Sequence, residues 1–244
     1  MTITMPAMTD AQTKGWQALL ELHKRLPEAW TLVGGQMVHL HCAERGGSPV
    51  RPTDDLDAVL DVRALPQVLT YFTSALVELG FTSAGQSPQG HEHRWHNGDA
   101  VVDVLIPRHL GERAAGGKGA TGSTTIETPG AQQALDRTEE VVVDVAGTVG
   151  TVRRPNLLGA LVAKAAAITV HLDQNPARHR TDFAVLATLL APSDRVEQAG
   201  RRDRELLNNM LGHLAGDKRT ALSVDGATDA LETLREILED SASS

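Results

Sequence analysis

TLVGGQMVHLHCAERGGSPVRPTDDLDAVLD, residues 31–61, reads as the end of a strand, a glycine turn, a helix, and a second strand that carries two carboxylates. The apolar run Trp30–Val33 predicts a buried strand, Gly34 and Gly35 a tight turn, and 36–44 a helix whose N-terminus points at that turn. Free N–H groups at such a helix start suit an anion such as a phosphate. In the second strand a period of two puts Leu56, Ala58, Leu60 and Val62 on one face and Asp55, Asp57, Val59 and Asp61 on the other. The first face can pack, while Asp55 and Asp57 project together from the open one.

Two like charges at this spacing repel, and both stay ionised only with a cation between them; Mg²⁺ takes carboxylate oxygens together with substrate phosphates. The bland alternative is a solvated acidic turn of Asp54, Asp55 and Asp57. Against it stand the upstream Gly pair, the Arg51-x-Thr53 lead-in and a third acid downstream. That acid is Asp103, alone in the β-branched run Ala100-Val101-Val102-Asp103-Val104-Leu105-Ile106, where a charge is costly unless paired or metal-bound. Asn97-Gly98 just before it signals a two-residue hairpin loop, which would set Arg94 opposite Val101 and Glu92 opposite Asp103. Arg94 then shares a face with Asp103 and is a candidate phosphate contact.

The series GGQMVHLHCAERGGSPVRPTDDLDAVLD with AVVDVLIP resembles the nucleotidyltransferase signature, a Gly pair, then Asp-x-Asp, then a lone Asp on a later strand. The RPTDDLD phrasing is similar to the AbiEii and MenT-like group of toxins, and the likeness continues through VRRPNLLGALVAKAAAI and RHRTDFAVLATLL, so that it spans about residues 32–190. The resemblance implies an α+β fold, a nucleotidyltransferase-type mixed β-sheet core with flanking helices followed by a C-terminal helical bundle. It implies Asp55, Asp57 and Asp103 as metal ligands and, with Lys164 and Asp182, as the catalytic set. Gly34, Gly35, Thr53, Arg94 and Lys164 become the nucleotide-binding candidates. Two Mg²⁺ ions are the implied cofactor and an NTP the substrate. A tRNA 3′ end is the implied acceptor, and a cognate antitoxin the implied partner. The chain departs from the group where Ser commonly follows the Gly pair or precedes the acids: Gln36 and Thr53 stand there instead.

The residues of the second half agree. On a helix over 156–172, Leu157, Leu161, Ala165, Ile168 and Leu172 form an apolar stripe with Lys164 beside Leu161 and Ile168. A Lys there either snorkels to water or is held for a purpose. Asp182 follows Arg178-His179-Arg180 and is expected to open a helix over 183–190, where an acid could also simply favour the helix dipole.

At 244 residues with 41% hydrophobic and 22% charged residues, the chain can bury a substantial core. We expect a core domain over 1–154 and a helical domain over 155–244. No apolar stretch reaches the ~18 residues of a membrane span, residues 1–16 lack a signal-peptide core, and the single Cys42 cannot form an intramolecular disulfide, so a cytoplasmic protein is expected. Net charge is −8, unevenly spread: −7 over 1–152, +4 over 153–219 and −5 over 220–244. The middle block, with Arg153, Arg154, Arg178, Arg180, Arg201, Arg202 and Arg204, permits RNA contact, although solvated helix faces would read the same way.

Further expectations are an N-terminal amphipathic helix over 10–25, a helix over 66–79, a flexible Gly/Ser/Thr-rich loop over 110–130, a hairpin of 141–145 with 148–152, helices near 195–214 and 228–238, and a frayed tail over 240–244. The His-rich segment His91-Glu92-His93-Arg94-Trp95-His96 raises zinc as a rival, but on a strand His91 and His93 face away from His96. The reading that emerges is Mg²⁺-dependent transfer of a nucleoside monophosphate to an acceptor hydroxyl, with the tRNA-modifying toxin first. The alternatives are a small-molecule nucleotidyltransferase of the aminoglycoside kind and a non-catalytic nucleotide-binding module.

Overall fold

Thr9 starts the first long helix: its hydroxyl accepts from the Gln12 N–H while the Gln12 side chain takes the Thr9 N–H, a reciprocal cap. In the computed structural model, which describes residues 1–170 and 175–240, the chain runs β1 (Thr2–Thr4), α1 (Asp10–Arg25), β2 (Trp30–Val33), α2 (Gly34–Arg45), β3 (Asp55–Leu60), α3 (Val68–Glu78), β4 (Thr82–Ser83), β5 (Arg94–Asn97), β6 (Ala100–Pro107), α4 (Glu112–Ala115) and β7 (Ile126–Thr128). It continues through α5 (Ala131–Leu135), β8 (Thr138–Val145), β9 (Thr148–Pro155), α6 (Leu157–Ala167), α7 (Ala177–Thr188), α8 (Arg201–Gly216), α9 (Lys218–Leu222) and α10 (Ala227–Asp240). The result is an α+β fold with a mixed sheet, flanking helices and a helical C-terminal part, as the sequence led us to expect.

The main sheet has the order β2-β3-β6-β5-β4, with β7 joining β6 beyond the end of β5. β2 and β3 are antiparallel, β3 and β6 parallel, and β5 and β6 antiparallel. Leu56, Ala58, Val102 and Val104 face a core with Trp16, Leu19, Phe72 and Leu76 from the helices. Gly15 lets α1 come this close, since a Cβ there would sit 2.3 Å from Leu56 Cδ1. β8 and β9 form the expected hairpin, longer at both open ends, and β1 adds to β8 as a parallel edge strand that the sequence did not announce. The same hydrophobic cluster continues past Pro155 through Leu161, Phe183, Leu207 and Leu234.

Several local expectations are corrected. The β5–β6 register is Arg94↔Asp103 and Asn97↔Ala100, two residues away from that expected, so the loop is Gly98-Asp99 and not Asn97-Gly98. Asn97 stays in the ladder because its amide donates to the Leu79 carbonyl at 3.1 Å and accepts from Lys14 Nζ at 2.7 Å. Gly98 then takes φ 61°, the sign a type II′ turn asks of its first loop residue. A slip of two keeps the faces and changes the partners: Arg94 comes opposite Asp103, and Glu92 falls beyond the ladder. Residues 110–130 are not a structureless loop. They contain α4 and β7, and Thr125 is buried with its hydroxyl on the Val104 carbonyl.

Helix α7 begins at Ala177, behind Pro176, so Asp182 sits in its second turn and not at its start. Helix α6 ends at Ala167, where Thr169 turns its hydroxyl onto the Ala166 carbonyl; Leu172, placed on that helix from sequence, lies outside the described residues, as do 241–244 of the expected tail. The helix expected over 195–214 starts only at Arg201, after two short 3₁₀ turns.

Candidate active site

The parallel ladder between β3 and β6 sets Asp57 directly beside Asp103 and Asp55 beside Val101. Asp55, Asp57 and Asp103 therefore share the open face of the sheet, at the mouth of a pocket of about 670 Å³. Gly34 and Gly35, the first residues of α2, line the same pocket. Gly34 has φ 71°, and a Cβ on it would lie 1.7 Å from Asp57 Oδ2; a Cβ on Gly35 would lie 2.7 Å from the Thr53 side chain. The glycine pair thus lets the backbone pass against the two side chains that lead into and form the acidic strand.

Thr53 is anchored from below. Its carbonyl accepts from Gln12 Nε2 at 2.7 Å and Gln36 Nε2 at 2.6 Å, and Gln36 Oε1 accepts from Trp16 Nε1 at 3.0 Å. Gln36, at the position where the sequence departs from the resembling group, turns inward and is buried. The Thr53 hydroxyl then donates to Asp55 Oδ1 at 3.1 Å.

The facing wall comes from α6 and α7. Lys164, 4% exposed, donates from Nζ to Asp182 Oδ2 at 2.7 Å. Arg51 closes on the same carboxylate with a two-pronged bond, Nε to Oδ1 at 2.9 Å and Nη2 to Oδ2 at 2.7 Å. Burial alone would push the Asp182 carboxyl up, but Lys164 and the Arg51 bond hold it below the usual carboxylate range. Arg94, from β5, donates Nε to Asp103 Oδ1 at 2.9 Å and Nη2 to Asp103 Oδ2 at 2.7 Å, with a weaker reach to Asp55 Oδ2 at 3.3 Å.

Asp57 is different. Among the described residues its carboxylate takes part in no hydrogen bond or salt bridge. Burial first, then the charges of Asp103 and Asp55, push it up to about 7, against a smaller pull from Lys164 and Arg178. An acid so placed is one that a cation would hold ionised. Among the described residues no three His, Cys, Asp or Glu side chains converge closely enough to ligate an ion unaided. Asp55 and Asp57 fit Mg²⁺ in the manner of sites that use one or two carboxylates and complete the shell with phosphate oxygens and water.

The catalytic, metal and nucleotide-binding candidates expected from sequence, apart from Asp182, all line this one pocket, and Asp182 stands behind its Lys164 and Arg51. Sequence reasoning missed Arg51 as the partner of Asp182, with its place four residues before Asp55 the only cue. It also missed the pocket's apolar side, Val59, Leu105, Ile126, Ala163, Ala167 and Val170, and the lining residue Arg108, while His93, named only for the zinc alternative, lines this pocket too. Two histidines of the zinc alternative are engaged separately: His91 Nδ1 meets the Thr124 hydroxyl at 2.8 Å and His96 Nε2 the Thr82 hydroxyl at 3.3 Å.

No protein-family model and no curated protein matches the chain. Among solved structures it is similar to the solution structure of the antibiotic-resistance factor ANT(2'')-Ia, with a TM-score of 0.44 and 14% identity over 87% of this chain and 97% of that one. A likeness this distant transfers no residue roles. No helix among the described residues is long and apolar enough to cross a membrane.

Proposed function

We propose that the protein is a Mg²⁺-dependent nucleotidyltransferase, acting on an NTP and an acceptor hydroxyl. The observation that carries this reading is the β3–β6 register, which puts Asp57, a carboxylate with no hydrogen bond or ion pair among the described residues, beside Asp55 and Asp103 at a pocket whose lining also bears Lys164.

Asp55 and Asp57 would hold Mg²⁺, with Asp103 completing the acidic end of the pocket. When bound, the ion supplies positive charge to the triphosphate and to the oxygens that carry the developing charge. The protein's own residues do the positioning. Gly34 and Gly35 bring backbone close to the phosphates, Thr53 fixes Asp55, and Lys164 neutralises charge that builds on the phosphate chain. Asp182 holds Lys164 and Arg51 in place. The acceptor oxygen bonds to the α-phosphorus as the bond from the α-phosphorus to the bridging oxygen of the β-phosphate breaks; pyrophosphate leaves with that oxygen, and the hydroxyl proton passes to solvent.

For the acceptor, the resemblance to the toxin group favours a tRNA 3′ end, with an antitoxin as protein partner and the cytoplasm as the place of action. The rim residues Arg108 and Arg178 suit a phosphodiester backbone. A small polycationic acceptor is the second reading, favoured by the −7 charge of residues 1–152. The test is to incubate the protein with Mg²⁺, each α-³²P-labelled NTP and total tRNA, beside an Asp55→Ala/Asp57→Ala control. Label on tRNA with the intact protein alone supports the first reading. Label on an added aminoglycoside but not on tRNA supports the second, and no metal-dependent transfer to either sinks the enzymatic proposal.

A further inference from the structure

We propose that Arg94 takes the place of a second metal ion, so that the site holds one divalent cation between Asp55 and Asp57 where the sequence pattern implies a pair. The inference rests on the nucleotidyl-transfer reading above.

In a two-metal site the ions lie about 3.5–4 Å apart and the acids must offer free lone pairs to both. Asp103 does not. Both its oxygens are taken by the Arg94 fork, at 2.9 and 2.7 Å, and the same Nη2 reaches Asp55 Oδ2 at 3.3 Å. A planar guanidinium seated on a carboxylate through two bonds is directional and strong, and it stays charged at any working pH. Asp55 is engaged on its other oxygen by Thr53, while Asp57 keeps both oxygens free of hydrogen bonds among the described residues. Of the three acids, the free ligand capacity therefore lies mainly on Asp57 and partly on Asp55, which suits one ion completed by phosphate.

The position of Arg94 is set by backbone, not by a roaming side chain. It is the ladder partner of Asp103, followed by the buried Trp95↔Val102 pair, and the preceding His93 carbonyl accepts from the Val104 N–H at 2.7 Å. Its side chain remains 47% exposed, and Nη1 makes no hydrogen bond among the described residues. One side of the guanidinium thus neutralises Asp103 and Asp55 while the other is open to the pocket and its phosphates. It supplies charge where a second ion would, without the open coordination positions an ion has.

The test is electron paramagnetic resonance of the purified chain with Mn²⁺ in place of Mg²⁺ and inorganic tripolyphosphate in place of the nucleotide, free metal removed. The native protein is expected to hold one Mn²⁺ per chain with an uncoupled six-line spectrum. Arg94→Met, which keeps the apolar stem and frees Asp103, is expected to take up a second ion and show a spin-coupled pair. Adding Asp103→Asn should return it to one. A coupled pair in the native protein overturns the proposal and leaves nucleotidyl transfer standing, as does an Arg94→Met variant that melts normally but stays at one ion. No protein-bound Mn²⁺ in the native chain sinks both. Should Arg94→Met fail to fold, the native count still decides.

Discussion

Lys164 Nζ lies 2.7 Å from Asp182 Oδ2, joining the last turn of α6 to the second turn of α7 inside the protein. Each residue would be a costly buried charge alone; together, and with Arg51 on both oxygens of the carboxylate, they form a satisfied cluster in the wall of the pocket.

Removing one member should leave the others uncompensated. Asp182→Ala is expected to destabilise the protein by about 3 kcal/mol in urea unfolding, the usual scale for breaking one side of a buried pair, and Asp182→Ala/Lys164→Met by less. The cluster also gives a pH signature. Because the folded-state carboxyl is held below its unfolded value, its contribution is present above about pH 4 and is lost as pH falls through the lowered folded value. The stability gap between native and Asp182→Asn should therefore narrow on acidification below about pH 4.

Asp57 has the opposite sign. With its carboxyl pushed up to about 7, the metal-free protein is expected to lose stability as pH rises from about 4 through about 7, since the folded state must then hold a buried, ionised acid beside Asp103 and Asp55. Asp57→Asn should be more stable than the native chain at pH 8 and comparable near pH 4, while losing nucleotide transfer. Metal binding must displace that proton. Mn²⁺ affinity, measured by calorimetry, should rise up to about tenfold per pH unit below about 7 and level off above it.

Gly34 and Gly46 separate strain from obstruction. Both have φ near +70°, but a Cβ at Gly34 meets Asp57 whereas one at Gly46 meets nothing within 4 Å. Each Ala substitution should cost about 1–2 kcal/mol for the left-handed backbone, and only Gly34→Ala should also displace Asp57 and abolish Mn²⁺ binding. Equal loss of metal binding in both variants would remove the close approach of Gly34 as the reason for its place.

Gln36→Leu leaves Trp16 Nε1 without its partner and takes one of two donors from the Thr53 carbonyl. Buried groups so orphaned cost about 1–3 kcal/mol, and the looser Thr53 should raise the KM for NTP through Asp55. Thermal unfolding and steady-state kinetics together check both effects. A stability loss with unchanged KM would make Gln36 a core residue and nothing more.

By itself the sequence determined what depends on neighbours within a turn or a strand. The amphipathic pattern of residues 10–25 placed α1, period two put Asp55 and Asp57 on one face, and a charge inside a β-branched run marked Asp103. Hairpin register was less legible, because Asn97 is kept in the ladder by Leu79 and Lys14, residues distant in the chain. Helix α7 was read as starting too late, since the polar Arg178-His179-Arg180 looks like a loop until the apolar positions beyond it find α6 and α10. Only the tertiary structure decided that Arg51 and Lys164 share Asp182, that Arg94 closes on Asp103, and that Asp57 has no partner among the described residues. The first group of facts follows from local backbone geometry and burial periodicity, which a linear pattern carries. The second is a matter of which charges are brought within hydrogen-bond reach across the fold, and that is fixed by strand register and helix packing between segments far apart in the chain.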